Sequence, residues 1–272
     1  MAVAKSWGWA GLPILATIGL LTFAPQWGVG YRGVTFVGVM VIVAVELAVI
    51  GALVNGRPIG AFIDNRNRIS LSKLQAGAWT VVVLAALATA AAFNMVAPDN
   101  GTGYVTALAV TIPGDLLLAM GISATSLVAS PALLSLKAGE TPSTQAVDQA
   151  AIKMNRTDGT DVPANGKVAM KALASEASWA DLVTGEEVGN VGYPDLGKIQ
   201  QVLITALLLG CYTAYIYTAF SRTTTLAIHS LPLLDTSFVG LLALSHGTYL
   251  AYKAVPHTGT GKPAPQTGSE QV

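Results

Sequence analysis

Apolar residues in this chain come in long, nearly unbroken runs, without the alternating or one-faced patterns of a water-soluble fold. Six runs stand out, at residues 8–26, 34–54, 76–97, 114–136, 201–220 and 234–252. Each approaches the ~20 residues that a helix needs to cross the hydrocarbon core of a bilayer. Helices satisfy their own backbone groups, which lipid cannot do. The pattern therefore predicts an all-α fold, a polytopic transmembrane helical bundle of six spans. The first run follows Lys5 as a signal peptide would, but no small-x-small cleavage site follows it. Pro25-Gln26-Trp27 reads better as a membrane exit, so a signal anchor is expected.

Composition agrees. Apolar residues make up 52% of the chain and charged residues 11%, with a mean hydropathy of +0.56; a soluble domain carries roughly 25% charged residues. Six spans put both termini and the connections 55–75 and 137–198 on one side. That side collects Lys5, Arg57, Arg66, Arg68, Lys73, Lys137, Lys153, Arg156, Lys167, Lys171, Lys198, Lys253 and Lys262, against only Arg32 and Arg222 opposite. By the positive-inside rule the rich side is cytoplasmic, which predicts a multi-pass inner-membrane protein with both termini in the cytoplasm. Trp7, Trp9, Trp79, Tyr249 and Tyr252 would form the inner aromatic belt, and Trp27, Tyr31 and Tyr104 the outer one. A net charge of zero argues against a nucleic-acid partner. The lone Cys211 cannot form an internal disulfide, and no metal-ligand spacing is visible.

Two segments look like copies of one hairpin. Lys73-Leu74-Gln75 leads into Trp79-Thr80 much as Lys198-Ile199-Gln200 leads into Ile204-Thr205. Each helix is followed by a polar loop, an apolar-Pro pair (Ile112-Pro113, Leu231-Pro232) and an Asp (Asp115, Asp235). A Leu-rich helix with a small polar centre comes next: Ser123-Ala124-Thr125-Ser126 in one, Ser245-His246-Gly247-Thr248 in the other. Hairpins entered from the same side would be parallel repeats. The expected organisation is a transmembrane hairpin (1–55), a basic segment with the first repeat (56–136), a cytoplasmic loop (137–197), the second repeat (198–254) and a disordered tail (255–272). Its Gly, Thr, Asn, Asp and Pro content predicts mobility over much of 138–168. Two capping-box patterns follow, Ser178-Trp179-Ala180-Asp181 and Thr184-Gly185-Glu186-Glu187.

Few residues suggest chemistry. Glu46 lies mid-span, where a carboxylate is expensive and is by default a functional candidate; its plain alternative is a protonated carboxyl bonded to a neighbouring helix. Ser245 and His246 lie in the sixth run as a second intramembrane polar site, with ordinary packing as the alternative. Ser245 beside His246 is no nucleophile and base, since helix neighbours point about 100° apart. Arg66, Arg68 and Lys73 are expected to meet anionic lipid headgroups or a partner, with Trp179 lying on the membrane or on that partner. No phosphate loop, nucleophile elbow or haem-attachment site occurs, so neither enzymatic activity nor a cofactor is expected.

Arg66-Asn67-Arg68 through Leu74-Gln75 to Trp79-Thr80, Asp181 through Glu187, Asp195 through Gln200 and Leu244 through Leu250 together resemble an uncharacterised family of bacterial polytopic integral membrane proteins. The resemblance implies topology and no activity. The functional expectation is therefore a membrane anchor or scaffold subunit that offers 55–75 and 137–198 to a cytoplasmic protein partner, with homo-oligomers open. Its rival is a small ion channel or transporter using Glu46 and His246.

Overall fold

The computed structural model describes residues 7–97, 107–155, 162–222 and 227–255. Lys5, Tyr104, Arg156, His257, Lys262 and the tail 256–272 lie outside the described residues, and so does the side chain of Trp7. The described residues form helices α1 (Gly11–Phe23), α2 (Arg32–Asn55), α3 (Leu71–Met95), α4 (Gly114–Lys137), α5 (Thr144–Lys153), α6 (Leu196–Arg222) and α7 (Thr236–Ala254). A two-stranded hairpin, β1 (Ala164–Asn165) and β2 (Val168–Ala169), lies between α5 and α6.

Among the described residues, five stretches are long and apolar enough to cross a bilayer: Gly8–Trp27, Val29–Asn55, Leu71–Met95, Gly114–Lys137 and Leu196–Arg222. The 19-residue α7 is not among them, because Ser245, His246 and Lys253 dilute its hydropathy. It nevertheless packs along both α4 and α6.

Local chemistry sets the helix boundaries. Gly56, with φ 69°, takes the left-handed conformation that ends α2. The Ser70 hydroxyl accepts from Lys73 N at 3.4 Å to open α3, and the Asp235 carboxylate accepts from Ser237 N at 2.8 Å to open α7. Phe36, Trp79, Leu116, Tyr212, Ile216 and Leu242 fill the core between α2, α3, α4, α6 and α7. Helix α1 lies on the periphery against α2 and buries only Pro13.

The two candidate repeats lie side by side and run the same way. Thr111 N donates to His229 O at 2.8 Å and Leu231 N to Thr111 O at 3.0 Å, so the approaches to α4 and α7 form a parallel bridge. Further along, Ser126 meets His246 and Ser130 meets Tyr249. On α6 the buried positions are Lys198, Gln201, Thr205, Leu208, Tyr212, Ile216 and Phe220. The α3 residues 126 positions earlier (Ser72 for Lys198, and so on through Gln75, Trp79, Val82, Ala86, Ala90 and Asn94) are all buried too. A gapless match set Gln75 against Gln200, but Gln200 is exposed and Gln201 is the buried residue, one position later.

Two expectations need correction. Trp79 and Tyr249 are not belt residues: both are core side chains, and Trp79 packs against Tyr212 at 6.1 Å between ring centroids. Trp9, Trp27 and Tyr31 are exposed, as belt residues should be. The segment 138–168 is folded over most of its described residues. Ser143 caps α5, whose Ala146 and Ala150 pack on Ala169, Val188 and Val191. Gly166, at φ 56°, lets the β-hairpin turn press on the end of α4, where an added Cβ would sit 2.2 Å from Ala138 O. Small alanines give such a segment a dry face that bulk composition hides.

Asn94 ties the end of the bundle remote from these loops. Its amide donates to Ala107 O (3.2 Å) and Ile228 O (2.8 Å), and its oxygen accepts from Ile228 N at 2.7 Å. Asn94→Leu strands those groups at roughly 1–3 kcal/mol each. We expect a thermal midpoint several degrees lower in detergent, against an unchanged midpoint for Thr80→Ala on the exposed face; equal midpoints would remove Asn94 as a tie.

Candidate functional site

The short turn between α2 and α3 decides where its arginines go. Ile63 and Ile69 bridge across it, and Asp64 Oδ1 accepts from the backbone N–H of Arg66 (2.9 Å) and Arg68 (3.2 Å). Asn67 takes φ 59°, a conformation that asparagine tolerates. Its amide donates to Lys171 O at 2.9 Å and Ala172 O at 3.1 Å, while Lys171 N returns a bond to Arg66 O. The turn is thereby stitched to the 162–195 connection.

Stitching points Arg66 and Arg68 inward. They are only 8% and 2% exposed, which overturns the expectation that both spread over lipid headgroups. Arg66 bonds Asp64 Oδ2 through Nε (2.8 Å) and Nη2 (2.5 Å), and Nη2 reaches Glu186 Oε1 at 3.1 Å. Arg68 donates to Thr184 Oγ1 at 3.1 Å and lies 3.6 Å from Asp181. Lys73 is half-buried, with Nζ on Ile63 O at 2.8 Å. Trp179 stays outside, 62% exposed.

Glu186 is the centre of the cluster. Arg66 reaches it from the turn, Lys198 Nζ (3.3 Å) from the first turn of α6, and Lys253 from the last turn of α7. Lys253 also donates to Tyr249 OH at 2.8 Å and to the Ser130 hydroxyl of α4. Beside it, Lys137 donates to Glu187 (2.6 Å) and to the terminal carbonyls of Lys253 (2.6 Å) and Val255 (2.7 Å). Asp181 accepts from Lys171 at 2.8 and 2.9 Å and from the N–H groups of Ile69 and Ser178.

Burial alone would push the Glu186 carboxyl up, but Lys198, Lys253 and Arg66 outweigh it and hold the group well below the usual carboxylate range. Burial likewise pulls Arg66 down, and Glu186 with Asp64 more than reverses that. At Arg68 burial prevails over Asp181, and the guanidinium sits below its ordinary value.

Of the two capping boxes, Ser178–Asp181 forms and opens a 3-10 turn over Trp179–Leu182. Thr184–Glu187 does not: Thr184 bonds back to Ala180 O, and the two glutamates are drawn into the cluster. Gly185 admits this path because a Cβ there would lie 2.2 Å from Asn190 Oδ1.

A polar column continues from the cluster into the bundle. One turn beyond Tyr249, the Ser126 hydroxyl lies 2.6 Å and Gln201 Nε2 3.2 Å from His246 Nδ1. Gln201 also donates to Gln75 Oε1 (3.0 Å), and Gln75 to Thr205 Oγ1 (2.7 Å). With the Gln201 amide nitrogen donating to Nδ1, the imidazole hydrogen lies on Nε2, which has no partner among the described residues. The hydroxyls of Ser123 and Ser245 and Gln201 Oε1 are buried and unpartnered in the same way. Past this level Leu116, Leu208, Val239 and Leu242 fill the core between α4, α6 and α7, while buried Thr89 and Arg32 lie farther along α3 and α2.

Glu46 does not join the column. It sits on α2, which packs on α1, α3 and α6, and its buried Oε2 has no partner among the described residues. His246 meets Ser126 and Gln201, and no hydrogen bond joins it to Glu46 among the described residues. Sequence reasoning missed Glu186, Glu187, Lys137, Lys198, Lys253 and Gln201 as site residues. The available signal was a lysine at the end of each of α4, α6 and α7, with Tyr249 one turn before Lys253.

No group of three or more His, Cys, Asp or Glu among the described residues is placed to hold a metal ion. Family models, curated proteins and solved structures yield no match to this chain.

Glu186→Gln leaves three cations facing a neutral amide, and breaking a buried pair costs about 3–5 kcal/mol. A carboxyl held low in the fold contributes fully above its unfolded value of about 4.3. That contribution is lost as pH falls from there through the depressed folded value. Limited proteolysis of 162–195 should thus accelerate in wild type below pH about 4.3. In Glu186→Gln it should be fast already at neutral pH, with a flatter acid dependence. A variant as resistant as wild type would remove Glu186 from the centre.

Proposed function

We propose that this chain is a non-enzymatic integral membrane anchor whose two long connections form one rigid cap for docking a cytoplasmic protein partner. One observation carries the proposal: Glu186 joins the 56–70 turn, the 162–195 connection and the ends of α6 and α7 in a single buried ion cluster. Arg57 adds to the joint by donating to the carbonyls of Ala174 and Ala177. Such networks contribute little net stability, so their use here is to fix one geometry. A fixed face suits a scaffold. Its outer surface carries Trp179 beside a crevice of about 480 Å3 lined by Arg68, Lys153, Lys171 and Glu176.

In this reading α7 is the sixth span, and α3–α4 and α6–α7 are parallel repeats. Support comes from the matching buried stripes of α3 and α6 and from the parallel bridge at Thr111 and Ser230. The cap faces the cytoplasm by the positive-inside rule. Cross-linking in intact cells followed by purification should recover a partner with wild type. Trp179→Ala combined with Lys153→Glu should lose at least half of it at unchanged membrane abundance. Recovery that survives both changes, or a cap labelled only from outside the cell, would end the proposal.

The polar column favours a second reading, a proton or cation pathway gated at Leu242. Reconstituted vesicles test it directly: flux that falls about tenfold or more in His246→Phe supports transport, while vesicles as tight as protein-free ones support the anchor.

A further inference from the structure

The crevice of about 480 Å3 beside Trp179 lies where four parts of the cap meet: the turn carrying Arg68, the end of α5, the 171–184 segment and the stretch around Gly192. Its charged lining is Arg68, Lys153 and Lys171 against Glu176 and Asp181. How far each of these charges is already engaged decides what the crevice can take.

Lys171 is fully engaged: its ammonium bonds both Asp181 oxygens and Glu176 O at 2.8 Å, with Ser178 Oγ at 3.4 Å. Glu176 Oε2 accepts from Ala172 N at 3.3 Å. Arg68 is not fully engaged. It makes one side-chain hydrogen bond, from Nη2 to Thr184 Oγ1, and Asp181 stands off at 3.6 Å. Its Nε is closed off without a partner among the described residues, whereas Nη1 makes no hydrogen bond and keeps an open face. Asp181 is too far to offset the burial of this guanidinium, which sits below its ordinary value. Lys153 is also unengaged. Its ammonium lies over the Tyr193 ring at 4.5 Å and makes no hydrogen bond among the described residues, so three donors stay available.

Net charge agrees. The crevice lining carries one positive charge in excess. The Glu186 cluster behind it, with Arg66, Lys198 and Lys253 against Asp64 and Glu186, adds to that excess and does not cancel it.

The rim narrows the class of anion. Trp179 stands between the lining residues Ser178 and Ala180, and Tyr193 follows the lining residue Gly192; they are 62% and 42% exposed. Tyrosine, tryptophan and arginine are the residues that dominate binding at protein interfaces. A small free anion would use the cations and leave both rings in water. A protein segment uses both.

We propose that this crevice receives an acidic side chain of the docked protein, its carboxylate on Arg68 Nη1 and Lys153 Nζ and its apolar neighbours on Trp179 and Tyr193. The inference names the partner's chemistry and rests on the docking reading.

Panning a phage library of short random peptides against the detergent-purified chain tests it. Recovered peptides should carry Asp or Glu beside an apolar residue. Their affinity should fall about tenfold in Lys153→Gln and further in Ala180→Trp, which fills the crevice from an exposed position. Lys153→Glu should redirect the selection toward Lys and Arg. Ile152→Gln, exposed and outside the crevice, should change nothing. Melting curves on the same samples separate lost binding from lost folding. Peptides with no acidic preference, lost in Trp179→Ala but kept in folded Lys153→Gln, would sink the acidic chemistry and leave the docking face standing. A library that yields no enriched peptide would end the inference, and cross-linking in cells then decides docking by itself. Displacement of the peptides by equimolar phosphate would reassign the crevice to a soluble anion.

Discussion

Everything at the basic end hangs on how Glu186 is surrounded. One carboxylate, buried at the mouth of an apolar bundle, is met by Arg66, Lys198 and Lys253 from three separate chain segments. Removing such charges from water costs several kcal/mol per ion, which their attraction repays only when geometry and hydrogen bonds are nearly complete. Here they are: Lys198 also bonds Asp181 O, Lys253 bonds Tyr249, and Arg66 is forked onto Asp64. The requirement that each ion be satisfied fixes the turn, the connection and the helix ends at once. A loop pair that looks like two flexible linkers becomes one body.

The same constraint extends into the bundle in a weaker, uncharged form. Apolar burial does not discriminate between helices in lipid, so hydrogen bonds and close fit must set their register. Gln75, Gln201, Ser126 and His246 do this across α3, α6, α4 and α7. The cost of those bonds is a polar column with unpartnered atoms at Ser123, Ser245 and His246 Nε2. The side chains that set the register are thus the ones that line the polar column.

Fold class was readable from the chain because lipid demands an all-or-none signal: a run is apolar for about 20 residues or it does not cross. Helix caps at Ser70, Ser178 and Asp235 were readable for a similar reason, since each needs only neighbours in sequence. The site was not. Arg66 and Arg68 have the composition of a membrane anchor, and only a left-handed Asn67 and contacts 104 or more residues away turn them inward. Glu186 and Glu187 satisfy a capping-box pattern and then serve something else, because four lysines and arginines gather there in space and not in sequence. Glu46 stood out for being a carboxylate in an apolar run, yet the polar partners collected around His246 instead.

Helix α7 shows why an average can mislead about a membrane segment. Its buried positions are Val239, Leu242, Ser245, His246, Tyr249 and Lys253, increasingly polar toward the cluster. Its exposed large residues are Phe238, Leu241, Leu244 and Tyr252. The helix is inside-out: polar groups face α4 and α6, which supply their partners, and apolar groups face outward. Mean hydropathy charges α7 for Ser245, His246 and Lys253 as though lipid had to solvate them. In the bundle Ser130, Tyr249 and Glu186 do that for Lys253, and Ser126 and Gln201 for His246. What a bilayer tests is the outward face alone, and there Phe238, Leu241, Leu244 and Tyr252 stand with Thr248 as the one exposed polar residue between them. A sixth crossing is therefore physically admissible only as part of this assembly, after α4 and α6 are in place to receive it.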